Sequence, residues 1–360
     1  MDNTLDLPYM TATIPGVGGK IRATIDSFIV EEIPLYQPDG YGQHLYVNIT
    51  KRGLTTREVQ LELARLFGLR VDDVGFAGLK DKYACASQTF SILVGNTDYS
   101  LLDQAVAQIR RHLPVTVNWA RLHRNKLRPG HLLGNRFTVL ITEIDLPLYE
   151  AMRRARSIVE RLRDSGVPNF FGPQRFGFAG ENIRKGFEIV HGSTCNVGRW
   201  LKRFLVSSYQ SYLCNLYLAR RLQHGLFERI LVGDIAKKYA TGGLFEVLDA
   251  SREQTRYESH EISFTAPIYG NKMWTASGPA GKLERTVLEE AGVKMEEFHA
   301  VGIRGSRRLG RLLLPDLTVT ADPQGLLVRF SLPKGAFATT VLRELMKAEL
   351  GLSGSSPISL

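Results

Sequence analysis

The hydrophobic positions of this chain follow two periods, and the switches between them mark its elements. Leu45, Tyr46, Val47, Asn48, Ile49 and Thr50 alternate as in a half-buried strand. Residues 87–94 mix alternation with β-branched side chains and read as a second strand, and residues 136–142 as a third. Between the first two, Thr55 and Glu58 stand at capping-box spacing. Val59, Leu63, Leu66 and Phe67 follow at helical spacing, and Gly68 can end that helix. Residues 147–165 turn helical and basic, with Arg153, Arg154, Arg156, Arg161 and Arg163 on or near one face. That face reads as a solvated helix surface before it reads as a phosphate track. Gly166 closes the helix.

Residues 200–224 form a further helical segment, whose Trp200, Phe204, Tyr209 and Tyr212 read as core rather than as stacking platforms. Strand character returns at 325–332, followed by a helix from about Thr339 carrying Val341, Leu342, Leu345 and Met346. Strands at 45–50, 88–94 and 136–144 with interspersed helices indicate an α+β or α/β sheet domain. A late strand of the same style makes the middle of the chain an insertion. The Gly, Ser and Pro residues at 351–357 are expected to fray.

The 360 residues suffice for roughly two domains of about 150 residues each. With 44% hydrophobic and 23% charged residues, the composition is that of a globular protein with a core. Lys plus Arg is 46 against 36 for Asp plus Glu, a net charge of +10, which points to a polyanionic partner, nucleic acid first. Cys85, Cys195 and Cys214 are odd in number and far apart, so neither a disulfide framework nor a zinc site is expected. The N-terminus lacks the basic head and apolar run of a signal peptide, and no apolar stretch approaches the ~18 residues that span a bilayer. A soluble cytoplasmic protein is the expectation.

The chemistry concentrates at Gly75-Phe76-Ala77-Gly78-Leu79-Lys80-Asp81-Lys82-Tyr83-Ala84. Asp81 stands between two lysines on a glycine-bearing loop that leads into a strand, and flanking cations favour the ionised carboxylate that a nucleophile or base requires. A solvated turn accounts for the same residues on conformational grounds alone. P-loop, dinucleotide, HExxH and GxSxG patterns are missing, and Gly16-Val17-Gly18-Gly19 has the wrong spacing for a phosphate cradle. No run of acids or histidines at ligand spacing supports a metal-dependent nuclease.

Five ordered blocks decide between the readings of the Asp81 loop. Gly78 through Ala84 followed by Gln88 resembles the pattern of the TruD family of tRNA pseudouridine synthases. So do Phe28-Ile29-Val30-Glu31-Glu32, the stretch 123–137 ending Gly134-Asn135-Arg136-Phe137, the stretch 166–177 with Asn169-Phe170-Phe171-Gly172-Pro173-Gln174-Arg175, and the stretch 332–340, Leu332-Pro333-Lys334-Gly335-Ala336-Phe337-Ala338-Thr339-Thr340. The resemblance runs from about residue 16 to about residue 350. It implies an α+β fold: a pseudouridine synthase catalytic domain with a mixed, mostly antiparallel sheet, interrupted by an inserted α/β TruD domain. The junctions then fall near 166 and 313, giving 1–165 with 314–360 and an insertion of 166–313.

The implied activity is isomerisation of uridine to pseudouridine at position 13 of tRNA, needing no metal, organic cofactor or obligate protein partner. A catalytically idle, basic tRNA-binding protein or chaperone is the rival reading. By resemblance Asp81 is the catalytic carboxylate, and Arg22 is the basic residue that pairs with it. Asn135 and Phe137, two apart on a strand, point to one side, offering an amide to the uracil edge and a face to the flipped base. Phe28 and Phe337 resemble further positions lining that pocket. Glu32 resembles a retained acid that fixes the Arg22 segment. The family commonly has a threonine near Gln88, where this chain reads Ala84-Cys85-Ala86-Ser87, so a hydroxyl supporting the Asp81 loop would come from Ser87. Lys80, Lys82, Lys126, Arg128, Asn169, Gln174 and Arg175 are candidates for RNA backbone contacts. Arg307-Arg308 and Lys202-Arg203 would extend that footprint.

Overall fold

The computed structural model describes residues 6–95, 99–193 and 197–348; Cys195 and the 351–357 tail lie outside them. In chain order the first elements are β1 (Phe28–Pro34), β2 (His44–Lys51), α1 (Thr56–Leu66), β3 (Gly75–Phe76), β4 (Cys85–Leu93), α2 (Tyr99–His112), β5 (Val115–His123), β6 (Leu132–Ile141) and α3 (Leu148–Ser165). Next come β7 (Val167–Pro168), α4 (Glu181–Val190), α5 (Arg199–Gln223), β8 (Ile235–Lys238), β9 (Leu244–Glu246) and α6 (Ala250–Glu258). They are followed by β10 (Ile262–Ile268), α7 (Gly278–Glu290), α8 (Met295–Val301), β11 (Ser306–Leu309) and β12 (Arg311–Leu312). The last are β13 (Thr318–Asp322), β14 (Gly325–Pro333) and α9 (Ala338–Met346).

Strands from both ends of the chain make one eight-stranded sheet, ordered β13-β14-β6-β1-β4-β2-β5 with β3 hydrogen-bonded to β4. The β1–β4 pair is parallel and the other pairings are antiparallel, so the sheet is mixed and mostly antiparallel. The middle of the chain builds a separate four-stranded sheet, β11-β10-β8-β9, and the short β7–β12 pair connects the two regions.

Alternation decides which face of the large sheet is buried. On β1, Phe28 and Val30 point inward; the register sets Val30 opposite Phe137 and Phe137 opposite Phe330, one row of large apolar side chains across three strands. Helices α3 and α9 cover this half through Ala155, Ile158, Leu162, Val341 and Leu345. The other half packs Leu45, Val47, Ile49 and Phe90 against Val59 and Leu63 of α1 and Ile109 of α2. Burial of each such side chain contributes roughly 1.5–3 kcal/mol.

The helices begin and end where local chemistry requires. Thr55 Oγ1 accepts from Glu58 N, and the Glu58 carboxylate accepts from Thr55 N, so the capping box of α1 is closed on both sides. The arginine face of α3 is solvated and ion-paired: Arg153 and Arg154 share Glu150, and Arg161 meets Glu228 at 2.6 Å. In α5, Leu205, Tyr209, Leu213 and Tyr217 are buried around the second sheet. Trp200 departs from the core expectation: at the first turn of α5 it is 54% exposed, its indole stacked on Phe204.

Candidate active site

The segment joining β3 to β4 is held from both sides. Lys80 N donates to Thr56 Oγ1 at 2.8 Å, and that hydroxyl donates to Gln88 Oε1 at 2.9 Å. Gln88, fully buried on β4, returns a bond from Nε2 to Gly78 O. Lys51, the last residue of β2, sends its ammonium to Asp81 O at 2.8 Å and to Leu54 O at 2.6 Å. Side chains rooted in β2, α1 and β4 thus fix a loop that has few ladder bonds of its own.

Asp81 is held at both carboxylate oxygens. Oδ1 accepts from Tyr83 N at 3.0 Å, a turn closed by the side chain two residues back. Oδ2 accepts from Arg22 Nη2 at 2.6 Å. The two side chains are 27% and 17% exposed, so the pair is sheltered yet reachable. Arg22 itself has φ +65°, a left-handed backbone that a non-glycine residue adopts at a cost of order 1–3 kcal/mol. This conformation accompanies a guanidinium 4.7 Å above the Phe28 ring and turned toward Asp81. Arg22 Nε is buried without a hydrogen-bond partner, and so is Asn135 Oδ1.

Three expected roles need correction. Glu32 does not fix the Arg22 segment: its carboxylate accepts from Lys80 Nζ at 3.0 Å and from Thr89 N at 3.4 Å. The reason lies in the register, because β1–β4 pairing ends at Glu31 with Ser87, and the next strand amide is taken by a side chain. Lys80 consequently is not free to meet phosphate, since its side chain is 4% exposed and paired with a 2% exposed carboxylate. The loop-supporting hydroxyl is that of Thr56, whereas Ser87 Oγ pairs with Thr50 Oγ1. Neither Thr56 nor Lys51 stands out in the sequence; a Lys at the end of an apolar strand face, followed by a capped helix, is the available signal.

The aromatic candidates separate by burial. Phe137 is 7% exposed, stacked on Phe330 at 5.3 Å and edge-on to Phe28, so most of both rings is core. Asn135 lies in the next row on the same face, opposite Glu32, at the margin of that core. Phe337, the N-cap residue of α9, is partly exposed and packs on Phe171, whose ring also carries the Arg308 guanidinium at 3.9 Å.

Of the basic candidates, Lys82 and Arg128 are at the surface, with Lys82 Nζ 3.3 Å from Glu58. Lys126 donates to Asp72 O, and Arg175 sits between Phe171 and Phe204 and donates to Ser207 Oγ. Asn169 is internal: it receives the Arg308 guanidinium on both of its oxygens and donates to Leu309 O. Arg307 pairs with Glu284 at 2.7 Å, is 2% exposed and donates to Thr265 O of the second sheet, while Arg308 is spent on Asn169 and Gly335 O, so neither extends a footprint. Lys202 and Arg203 are exposed, and Gln174 is at the surface. Among the described residues no group of three or more His, Cys, Asp or Glu is arranged to hold a metal ion. No described helix is long and apolar enough to cross a membrane.

Comparison with known proteins points one way. A family model described as tRNA pseudouridine synthase D (TruD) matches residues 4–197 and 188–345. A tRNA pseudouridine synthase D of Thermus thermophilus is 44% identical over 342 residues, covering 95% of this chain and 92% of its own length. That of Anaeromyxobacter dehalogenans is 41% identical over 356 residues, covering 96% and 98%. A crystal structure from Methanosarcina mazei that carries the tRNA pseudouridine synthase D designation superposes with a TM-score of 0.78 at 26% identity, covering 95% of this chain and 99% of its own. With a mixed sheet assembled from both ends of the chain and, on its β3–β4 loop, an Asp paired with an Arg that precedes β1, this chain belongs to the tRNA pseudouridine synthase D (TruD) family.

Proposed function

We propose that the protein isomerises uridine to pseudouridine at position 13 of tRNA, with Asp81 as the catalytic carboxylate and Arg22 as its partner. The observation that carries this reading is the 2.6 Å Asp81–Arg22 pair; Arg22 Nε and, on β6, Asn135 Oδ1 are in addition buried polar atoms without protein partners. A buried donor and a buried acceptor left unpaired cost free energy until something satisfies them. The uracil ring, with carbonyl oxygens and an N3–H, offers the complementary groups.

The reaction breaks the N1–C1′ bond, turns the base and forms a C5–C1′ bond; a proton leaves C5 and one is gained at N1. Nothing is oxidised or reduced overall. Asp81 serves by attack or by taking a proton, and either route requires the ionised carboxylate that the guanidinium stabilises. The target nucleotide must leave its stack at a cost of a few kcal/mol. Phe337 supplies the open aromatic edge of the pocket, and Phe28 and Phe137 support it from the core. Lys82 and Arg128 receive phosphates, with Lys126 and Arg175 lending charge from more sheltered positions. We also assign residues 1–165 with 314–360 to the catalytic domain and 166–313 to an insertion, in keeping with the two separate sheets.

The test incubates wild type and Asp81→Asn with unmodified tRNA and maps pseudouridine at nucleotide resolution. New pseudouridine at position 13 with wild type only is expected, with tRNA affinity nearly unchanged in the variant. Product from Asp81→Asn removes Asp81 from the mechanism. Tight binding without product from any tRNA instead favours a chaperone.

A further inference from the structure

Lys51 is fully buried, yet no carboxylate lies within ion-pair distance of it among the described residues. Its same-face neighbours on β2 are Ile49, Val47 and Leu45, all core residues. An apolar side chain would satisfy packing here, and a buried ammonium is costly without compensation. Compensation comes from backbone: Leu54 O at 2.6 Å, Asp81 O at 2.8 Å and, more distantly, Lys80 O at 3.5 Å. Three N–H donors thus face three carbonyls, two of them belonging to the catalytic residue and its predecessor. The Leu54 contact ties the same ammonium to the turn that delivers Thr55 and Thr56, and Thr56 accepts from Lys80 N.

We propose that Lys51 is a positioning residue whose ammonium sets the backbone of the Asp81 loop, and so aims the Asp81 carboxylate at Arg22 and the substrate. This rests on Asp81 being the catalytic carboxylate. A protonated amine serves the three carbonyls; a neutral amine has two N–H bonds and turns a lone pair toward the third oxygen. Burial pushes the Lys51 pKa down to about 8, opposed by the Asp81 charge, with the neighbouring Lys80 adding to the fall and Glu58 and Cys85 acting against it. The switch from three donors to two therefore lies within reach of an ordinary pH titration.

The experiment compares wild type with Lys51→Met, which keeps length and removes charge, and with Lys51→Arg, whose guanidinium stays charged throughout. Amide exchange of peptides covering 77–84 is read first, because it needs no activity. Lys51→Met is expected to speed exchange of the loop at least ~10-fold, with peptides from α5 and β14 unchanged. Unchanged loop exchange overturns the proposal, whatever the protein's activity proves to be. Single-turnover rates on tRNA at saturating enzyme are then measured from pH 6.5 to 9.5. Wild type loses rate as pH rises through about 8. Lys51→Met is slowed ~10- to 100-fold with tRNA Kd unchanged, as a displaced reacting group would give, and lacks that limb; Lys51→Arg recovers part of the rate without it. Wild-type rates from Lys51→Met, or the same pH limb in it, overturn the proposal. Should both variants fail to fold, a wild-type rate that does not fall between pH 7 and 9 overturns it.

Discussion

Phe137 and Phe337 show how much one residue's surroundings change its meaning. From the sequence Phe137 is the leading platform for a flipped base, and its side of β6 is read correctly: it shares a face with Asn135. Its ring, however, is wedged between Phe330 and Phe28. Phe137→Ala is therefore expected to cost about 3–5 kcal/mol of stability, measured by urea unfolding, because a large buried ring leaves a cavity. Phe337→Ala, at a partly exposed N-cap position, is expected to lose turnover with a much smaller change in stability. Equal stability losses in the two variants would return Phe337 to the core. The Asp81 loop stands out because its residues are contiguous in sequence, whereas the role expected of Asp81 rests on the five ordered blocks. The buried, unpaired atoms Arg22 Nε and Asn135 Oδ1 are not legible in the sequence, since an unmet hydrogen bond exists only after every other partner has been placed.

At the scale of elements, the turn at 51–56 and the loop at 78–84 form one cassette joined by Lys51 and Thr56. Thr56→Val keeps the shape of the side chain but strands Lys80 N and Gln88 Oε1, both buried. It should destabilise the fold by about 1–3 kcal/mol, and a shift in the urea midpoint smaller than that of an exposed Thr→Val control would refute this. Lys51 also gives a pH signature of stability. Its folded-state pKa of about 8 lies below the ordinary 10.5, so between these values the unfolded chain holds a proton that the folded chain has released. Unfolding free energy from this group then rises with pH across that window. Denaturant titrations at pH 7 and 9.5 should show wild type gaining stability relative to Lys51→Met as pH increases. A gap that stays constant or moves the other way would contradict the assigned direction.

On the scale of the whole molecule, a net charge of +10 favours a polyanionic partner, but the charge is not uniformly available. Lys80 and Lys82, two apart in sequence, make the point. Lys80 is consumed by Glu32 inside the protein, while Lys82 stands at the surface. Lys82→Gln should lower the slope of log affinity for tRNA against log salt by about 1, as loss of one phosphate contact would. Lys80→Met should leave that slope alone and cost about 3–5 kcal/mol of stability by abandoning a buried carboxylate. If the two variants exchange these behaviours, the electrostatic map drawn from the fold is wrong.

What the sequence determined by itself was carried by short-range order. The strand and helix periods, the Thr55–Glu58 cap, the solvated arginine face of α3 and the Asp81 loop all depend on residues within a few positions of one another. A late strand like the early ones was enough to foresee strands from both ends of the chain in one sheet. The tertiary structure alone decided which charges meet: Glu32 with Lys80 instead of the Arg22 segment, Thr56 in place of Ser87 as the supporting hydroxyl, and Arg307 and Arg308 turned inward. Trp200 went the other way, helical as expected but left at the surface. The physical reason is common to these cases. Periodicity fixes the face from which a side chain leaves its own strand or helix, whereas its partner is set by register and packing between segments tens or hundreds of residues apart.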